Sequence, residues 1–135
     1  MTTNTRLRGF TPTGEPGDAF GPITFEGFAR WVRDLPLNVT VGKRRSATDC
    51  PLARYLIVRG YFVAVVVTRD SYQYTEHVTD ESDQGQSLYV RHRYLMPRWA
   101  ALILRRCDYK KRKTDEVTVR GLRMILGDLE REGVV

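Results

Sequence analysis

Hydrophobic positions first take on a helical rhythm at Thr24. From there as far as Leu35, apolar side chains recur every three or four residues, and Pro36 follows them. This spacing predicts a short amphipathic helix that Thr24 caps and Pro36 ends. The residues before it, 1–22, are rich in Thr, Gly and Pro and are predicted to form an irregular, flexible arm.

A second short helix is predicted at about 50–59. Thr48 and Asp49 are favoured N-cap types, Pro51 suits a first helical turn, and Gly60 is typical of a helix end. The segment NVTV before it is expected to be briefly extended.

Three extended segments follow. The run YFVAVVVT is β-branched and aromatic, which favours a buried central strand. YQYTEHV and SLYVRHRYLM are also predicted strands, and the second alternates, with Leu88, Val90 and Met96 on one side and Arg91 and Arg93 on the other. TDESDQGQS reads as the loop between them, so the three strands form an antiparallel meander.

Two helices are predicted after the strands. Pro97 opens the first, with Trp99, Ala100, Ile103, Leu104 and Cys107 on an apolar face and Arg98, Arg105, Tyr109 and Arg112 opposite. The second begins after Thr114 to Thr118, where Asp115 and Glu116 are expected to complement its N-terminus. Its apolar side comprises Val119, Leu122, Ile125, Leu126 and Leu129.

These elements predict an α+β fold. A three-stranded antiparallel sheet packs with about four helices, two before and two after the strands. With 135 residues, the chain is expected to hold the arm at 1–22 and a single domain at 23–135.

Cysteine content and the length of apolar runs limit the bonds, metal sites and cellular compartment that the sequence predicts. Cys50 and Cys107 are far apart and form no Cys-x-x-Cys motif, so neither a disulfide framework nor a zinc site is predicted, and a cytoplasmic location fits best. Neither a signal peptide nor a membrane span is expected, because the longest apolar run, 61–67, is too short. No cofactor or metal is predicted, since His77 and His92 lack the spacing of a ligand set.

The uneven distribution of charge is the strongest indication of function in the sequence. The formal net charge is +6, but residues 42–59 and 91–113 together carry about +12, whereas residues 69–87 carry about −4. If the two basic segments meet in the fold, they form a surface that attracts phosphates, with Tyr94, Trp99 or Tyr109 available to stack on an unpaired base. The competing interpretation is a solvated basic face with no ligand.

The loop GKRRS at 42–46 precedes the second helix, a position where backbone N–H groups can bind an anion. It is not a Walker loop, because the upstream glycine of that motif is missing. Lys43, Arg44 and Arg45 are therefore candidates for simple phosphate contacts.

Cys50 would lie near a helix N-terminus with cations close by, and both features lower a thiol pKa. Catalysis would also need a base, and the spacing places neither histidine beside it. A small buried packing group is the favoured interpretation of this cysteine.

The segment CPLARYL, the hydrophobic strand after it and the later MPRWAALILRRCD resemble a group of small uncharacterised bacterial and phage-type proteins. That group shares a Cys-Pro-Leu-Ala segment and a Pro-x-Trp helix start. The resemblance implies no activity.

The leading interpretation is a small, basic, non-enzymatic binding module that contacts nucleic-acid phosphates. The predicted contacts are Lys43, Arg44, Arg45, Arg105, Tyr109, Lys110, Lys111 and Arg112. One alternative is a protein-binding regulator or inhibitor of an acidic or nucleic-acid-handling partner, and a further one is a Cys50-dependent enzyme. A homo-oligomer is also possible, because a short sheet leaves an edge that needs cover.

Overall fold

The computed structural model describes residues 2–7, 19–60, 63–80, 86–109 and 114–135. These residues form four helices and six strands, and the α+β prediction is confirmed. In chain order the elements are β1 Thr2–Leu7, α1 Phe25–Arg33, β2 Thr40–Lys43, α2 Pro51–Val58, β3 Val63–Val67, β4 Ser71–Asp80, β5 Gln86–Leu95, α3 Arg98–Tyr109, β6 Glu116–Thr118 and α4 Val119–Arg131.

The main sheet has four strands in the order β1-β5-β4-β3. The predicted meander is present, since β3 pairs with β4 and β4 with β5 in antiparallel fashion. Alternation is confirmed where side chains are described: Val90 in β5 and Met96 just after it are buried, and Arg91 and Arg93 are exposed.

Two features of this sheet differ from the predictions. The strand β3 lies at the edge of the sheet rather than at its centre. Its apolar run is explained by α2, which packs against it. The Val67 N–H donates to the Ala47 carbonyl at 2.7 Å. A hydrophobic run reports burial by any neighbour, so it does not distinguish edge from centre.

The second difference concerns the N-terminal arm, which was expected to be irregular. Its residues Thr2–Leu7 form β1, which pairs in parallel with β5 along the edge opposite β3. Because parallel partners are distant in sequence, nothing local in this Thr-rich segment signals the pairing. Residues 8–18 lie outside the described part, and the division at residue 22 stays a prediction.

A separate two-stranded sheet joins β2 to β6 in antiparallel register, with Lys43 opposite Glu116. Glu116 therefore belongs to a strand, and the first turn of α4 contains no acidic residue. The α4 cap is Thr118, whose hydroxyl accepts from the Gly121 N–H at 3.2 Å. Side-chain capping by threonine satisfies one of the N–H groups at a helix start.

Packing of the helices follows the predicted faces. The α1 residues Phe28, Ala29 and Val32 are buried, and so are all five predicted apolar positions of α4. Thr24 caps α1 as expected, accepting from the Gly27 N–H at 3.1 Å. None of the helices in the described ranges has the length and apolar character needed to span a membrane.

Candidate nucleic-acid interface

A groove of about 740 Å³ lies between α3, the loop before α2 and the turn that joins β3 to β4. Four exposed arginines line it, and we call it the arginine groove: Arg45, Arg69, Arg98 and Arg105. Asp70 and Asp108 are also part of the lining, so its formal charge is +2, four cations less two acids. The two basic segments of the sequence therefore do meet in the fold.

The helix α3 presents two different sides. Ala100, Ile103 and Cys107 are buried in the core, as the periodicity predicted. Arg98 and Arg105 lie on another side that lines the groove. They are separated by seven residues, or about two helical turns, so both project towards the same side.

Arg45 is held in place from two directions. Its backbone N–H donates to the Asp108 carboxylate at 2.9 Å, and its guanidinium donates to the Asp108 carbonyl at 3.3 Å. Its φ of 58° is uncommon for a residue other than glycine, which shows that the surrounding contacts determine this conformation. The loop is thereby fixed to α3, and the Arg45 charge lies on the rim of the groove.

The other two cations of the loop are placed differently. Lys43 is exposed on β2, and its backbone N–H donates to the Asp49 carbonyl at 2.8 Å, but it does not line the groove. Arg44 is only 9% exposed. Its guanidinium donates to the Thr114 carbonyl and its backbone N–H to the Asp115 carbonyl at 2.7 Å. Arg44 therefore joins β2 to the segment before β6 instead of facing a ligand.

The remaining predicted contacts lie at and beyond the end of α3. Tyr109 is the last residue of this helix, and its side chain is not described. Lys110, Lys111 and Arg112 lie outside the described residues. These four residues stay predictions.

Two aromatic residues proposed for base stacking are used in the core instead. Tyr94 is buried and packs on Tyr72, with the ring centroids 5.3 Å apart. Trp99 packs against Phe25 and Phe28 at 5.8 and 5.7 Å. Neither ring lines the groove, so stacking there cannot depend on either of them.

Several arginines elsewhere in the described residues are held by carboxylates or by backbone carbonyls. Ion pairs with carboxylates engage Arg33, Arg54, Arg106 and Arg131. Another, Arg123, donates to backbone carbonyls at the end of α1. By contrast, the four groove arginines have no ion pair among the described residues, so their charges are available to an anion.

Cys50 lies against the groove but has a structural role. It is 5% exposed and acts as the N-cap of α2, where its Sγ accepts from the Ala53 N–H at 3.5 Å. The expectation that Thr48 or Asp49 provides this cap is wrong; Asp49 pairs with Arg54 at 2.8 Å instead. Burial raises the pKa of the Cys50 thiol, outweighing the backbone N–H groups that lower it. A raised pKa disfavours the thiolate that a nucleophilic cysteine requires.

The two histidines lie on strands, as predicted. His92 is 1% exposed, stacks on Tyr74 with centroids 4.9 Å apart, and has Nε2 3.2 Å from a Glu76 carboxylate oxygen. The side chain of the other histidine, His77, lies outside the described part of the structure. Within the described ranges, His, Cys, Asp and Glu form no cluster of three that could hold a metal ion.

Arg69 and Arg98 complete the groove but were not among the predicted contacts. Arg69 sits in the turn between β3 and β4, inside the segment of net negative charge, so segment sums hide it. The helical periodicity places Arg98 on the cationic side of α3, but the predicted phosphate contacts do not include it. The α3 periodicity could have identified Arg98, but no sequence signal places Arg69 beside α3.

Comparison with known proteins identifies no relative of this chain. The chain matches no family model, no curated protein and no solved structure.

Proposed function

We propose that this protein is a nucleic-acid-binding module that contacts phosphates through the arginine groove. The observation that carries the proposal is the meeting of Arg45, Arg69, Arg98 and Arg105 at one concave surface, each exposed and without an ion pair in the described chain. Guanidinium groups bind phosphate oxygens in a planar, two-pronged geometry, and they keep their charge at any physiological pH.

Binding of this kind is driven by the release of counterions from the phosphate backbone. The contacts position the nucleic acid without reading its sequence. Because the loop at Arg45 is fixed to α3 through Asp108, little ordering of the rim is needed on binding. Lys110, Lys111 and Arg112 follow Tyr109, the last residue of α3, in the chain, and we include all four as proposed contacts.

The proposal also includes the cytoplasmic, reducing setting expected from the sequence. Cys50 and Cys107 are both buried thiols, which suits a compartment where thiols stay reduced. Membrane binding forms no part of the proposal.

The test compares two variants of equal charge. Arg98→Gln with Arg105→Gln removes two groove cations, and Arg59→Gln with Arg120→Gln removes two exposed cations that do not line the groove. Each pair lowers the net charge from +6 to +4. Fluorescence anisotropy with short single- and double-stranded DNA and RNA, repeated across salt concentrations, gives the affinity and its salt dependence.

We expect the groove variant to lose most of its affinity. If both arginines contact a single strand, the slope of log K against log salt falls by about 1.4, since each phosphate contact contributes about 0.7. The matched variant should retain nearly all of its slope. Equal losses in the two variants would refute the groove as the binding site.

Absence of binding to every nucleic acid at low salt would remove the proposal altogether. It would favour an acidic protein partner instead. The carboxylates of such a partner could bind the same arginines. Capture of a partner that survives nuclease treatment separates that regulator or inhibitor from a nucleic-acid complex.

A further inference from the structure

Apolar as well as charged residues line the arginine groove, and we call its apolar part the floor and its four arginines the rim. The apolar lining residues come from three elements of the fold: Ala47, Cys50, Val67, Ala101, Leu102 and Leu104. Phosphates alone need charge and hydrogen-bond donors, and they gain nothing from contact with such a floor. The lining therefore indicates a ligand that carries apolar surface as well as negative charge.

The floor and rim are well fixed. Cys50 and Val67 are buried and belong to the main core. At the rim, the turn that carries Arg69 is closed by the Thr68 N–H, which donates to the Ser71 carbonyl at 2.8 Å, and by the Ser71 N–H, which donates to the Thr68 hydroxyl at 3.2 Å. A volume of about 740 Å³ is within the usual range for ligand sites.

The form of the nucleic acid determines whether this floor is used. In a duplex the base faces are stacked inside a rigid rod, and only phosphates would reach the rim of a concave surface. In a single strand the bases can turn outwards, and each base has a flat apolar face. Arginine planes can stack on such faces, which compensates for the absence of Tyr94 and Trp99 from the groove.

Resting on the proposed function, we infer that the arginine groove takes single-stranded nucleic acid. Unpaired bases lie against the apolar floor, and the adjoining phosphates lie on the guanidinium groups of the rim. No covalent step is involved, and recognition does not depend on the identity of the base.

The direct test uses three labelled probes with equal numbers of phosphates: oligothymidylate, an abasic sugar-phosphate oligomer and a DNA duplex. Anisotropy titrations at one salt concentration compare their affinities. We expect oligothymidylate to bind about tenfold more tightly than the abasic oligomer, because base contacts add to phosphate contacts. Equal affinities for all three probes would overturn this inference and leave phosphate binding intact. Failure of all three to bind would instead overturn the proposed function.

A second arm changes the floor without changing any charge. Ala47→Leu, in the exposed loop, and Ala101→Leu, on the groove side of α3, each place a larger side chain in the groove. Circular dichroism and thermal unfolding establish that each variant is folded, and the loop variant serves if the helix variant is not. We expect the preference for oligothymidylate over the abasic oligomer to fall at least threefold. An unchanged preference in a folded variant would refute the base-binding role of the floor.

Discussion

Gly42 begins the cationic loop, and replacing it with alanine tests how closely β2 approaches α2. A Cβ atom at this position would lie 2.6 Å from the Pro51 nitrogen and 2.8 Å from the Cys50 carbonyl carbon. Both are backbone atoms at the start of α2, so no side-chain rotation relieves the contact. The two segments must separate by about 0.8 Å for the nearest contact to reach an ordinary 3.4 Å.

That separation acts on bonds that hold the loop. The Lys43 N–H donates to the Asp49 carbonyl at 2.8 Å, directly beside the contact. Overpacking costs about 1–3 kcal/mol, and weakening one hydrogen bond adds about 1 kcal/mol. We therefore expect Gly42→Ala to lower the free energy of unfolding by about 2–4 kcal/mol.

Thermal unfolding followed by circular dichroism measures this effect. A chain of 135 residues has an unfolding entropy of about 0.28 kcal/mol/K, so the melting temperature should fall by about 7–14 °C. Urea unfolding provides the free energy independently, and an unchanged m-value shows that the denatured state is unaffected.

Two other glycines provide matched controls for the same chemical change. Gly127 lies within α4, and its added Cβ would meet only the flexible end of Arg131 at 3.3 Å. Alanine there should stabilise the protein by about 0.5–1 kcal/mol, because it favours the helix. Gly60 has a φ of 97° with nothing within 4 Å, so its variant isolates the cost of backbone strain, about 1–2 kcal/mol. A Gly42→Ala protein within about 0.5 kcal/mol of wild type would refute the close approach of β2 to α2.

Three further predictions follow from single residues. The hydrogen bond with Arg54 chiefly lowers the pKa of Asp49, so the stabilisation by Asp49 is present above about pH 3.8 and is lost as the pH falls through its folded-state pKa. In urea unfolding measured across pH, Asp49→Asn should therefore reduce the loss of unfolding free energy at acid pH. An equal acid loss in the variant and the wild type would contradict this. The raised pKa of Cys50 means that the folded protein holds this proton longer than the unfolded chain, so stability should decline as the pH rises above about 9.0. Cys50→Ser keeps a capping group that does not titrate in this range. If the free energies of unfolding of this variant and the wild type differ by a constant amount from about pH 8 to about pH 10, the pKa of Cys50 is not raised. Arg123→Gln should lower the free energy of unfolding by about 1–2 kcal/mol in urea titrations, because the guanidinium group of Arg123 donates to carbonyls at the end of α1. The control Arg120→Gln changes an exposed neighbour and should lower it by less than about 0.5 kcal/mol. Equal losses in the two variants would rule out the capping role of Arg123.

Local sequence predicted the elements that depend on neighbouring residues. Thr24 marked the start of α1, and the apolar spacing on α4 identified its buried side correctly. The same reasoning failed at the cap of α2, where Thr48 and Asp49 have better capping side chains than Cys50. There the Asp49 carboxylate pairs with Arg54, and Cys50 provides the cap.

The candidate site was predicted only in part. Arg45 and Arg105 were named from segment charge, and both line the groove. Arg44 was named for the same reason but is buried against Thr114, because the pairing of β2 with β6 brings those segments together. Composition records how many cations a segment holds, and it does not record which way each one points.

By itself, the sequence determined the α+β class, the helices and the uneven distribution of charge. These properties follow from the periodicity of apolar residues and from local capping, both of which act over a few residues. Only the tertiary structure decided that β3 lies at an edge, that β1 joins the sheet, and that Arg69 meets Arg98 and Arg105 across the groove. Those arrangements depend on contacts between residues far apart in the chain, where packing and strand pairing override local preference.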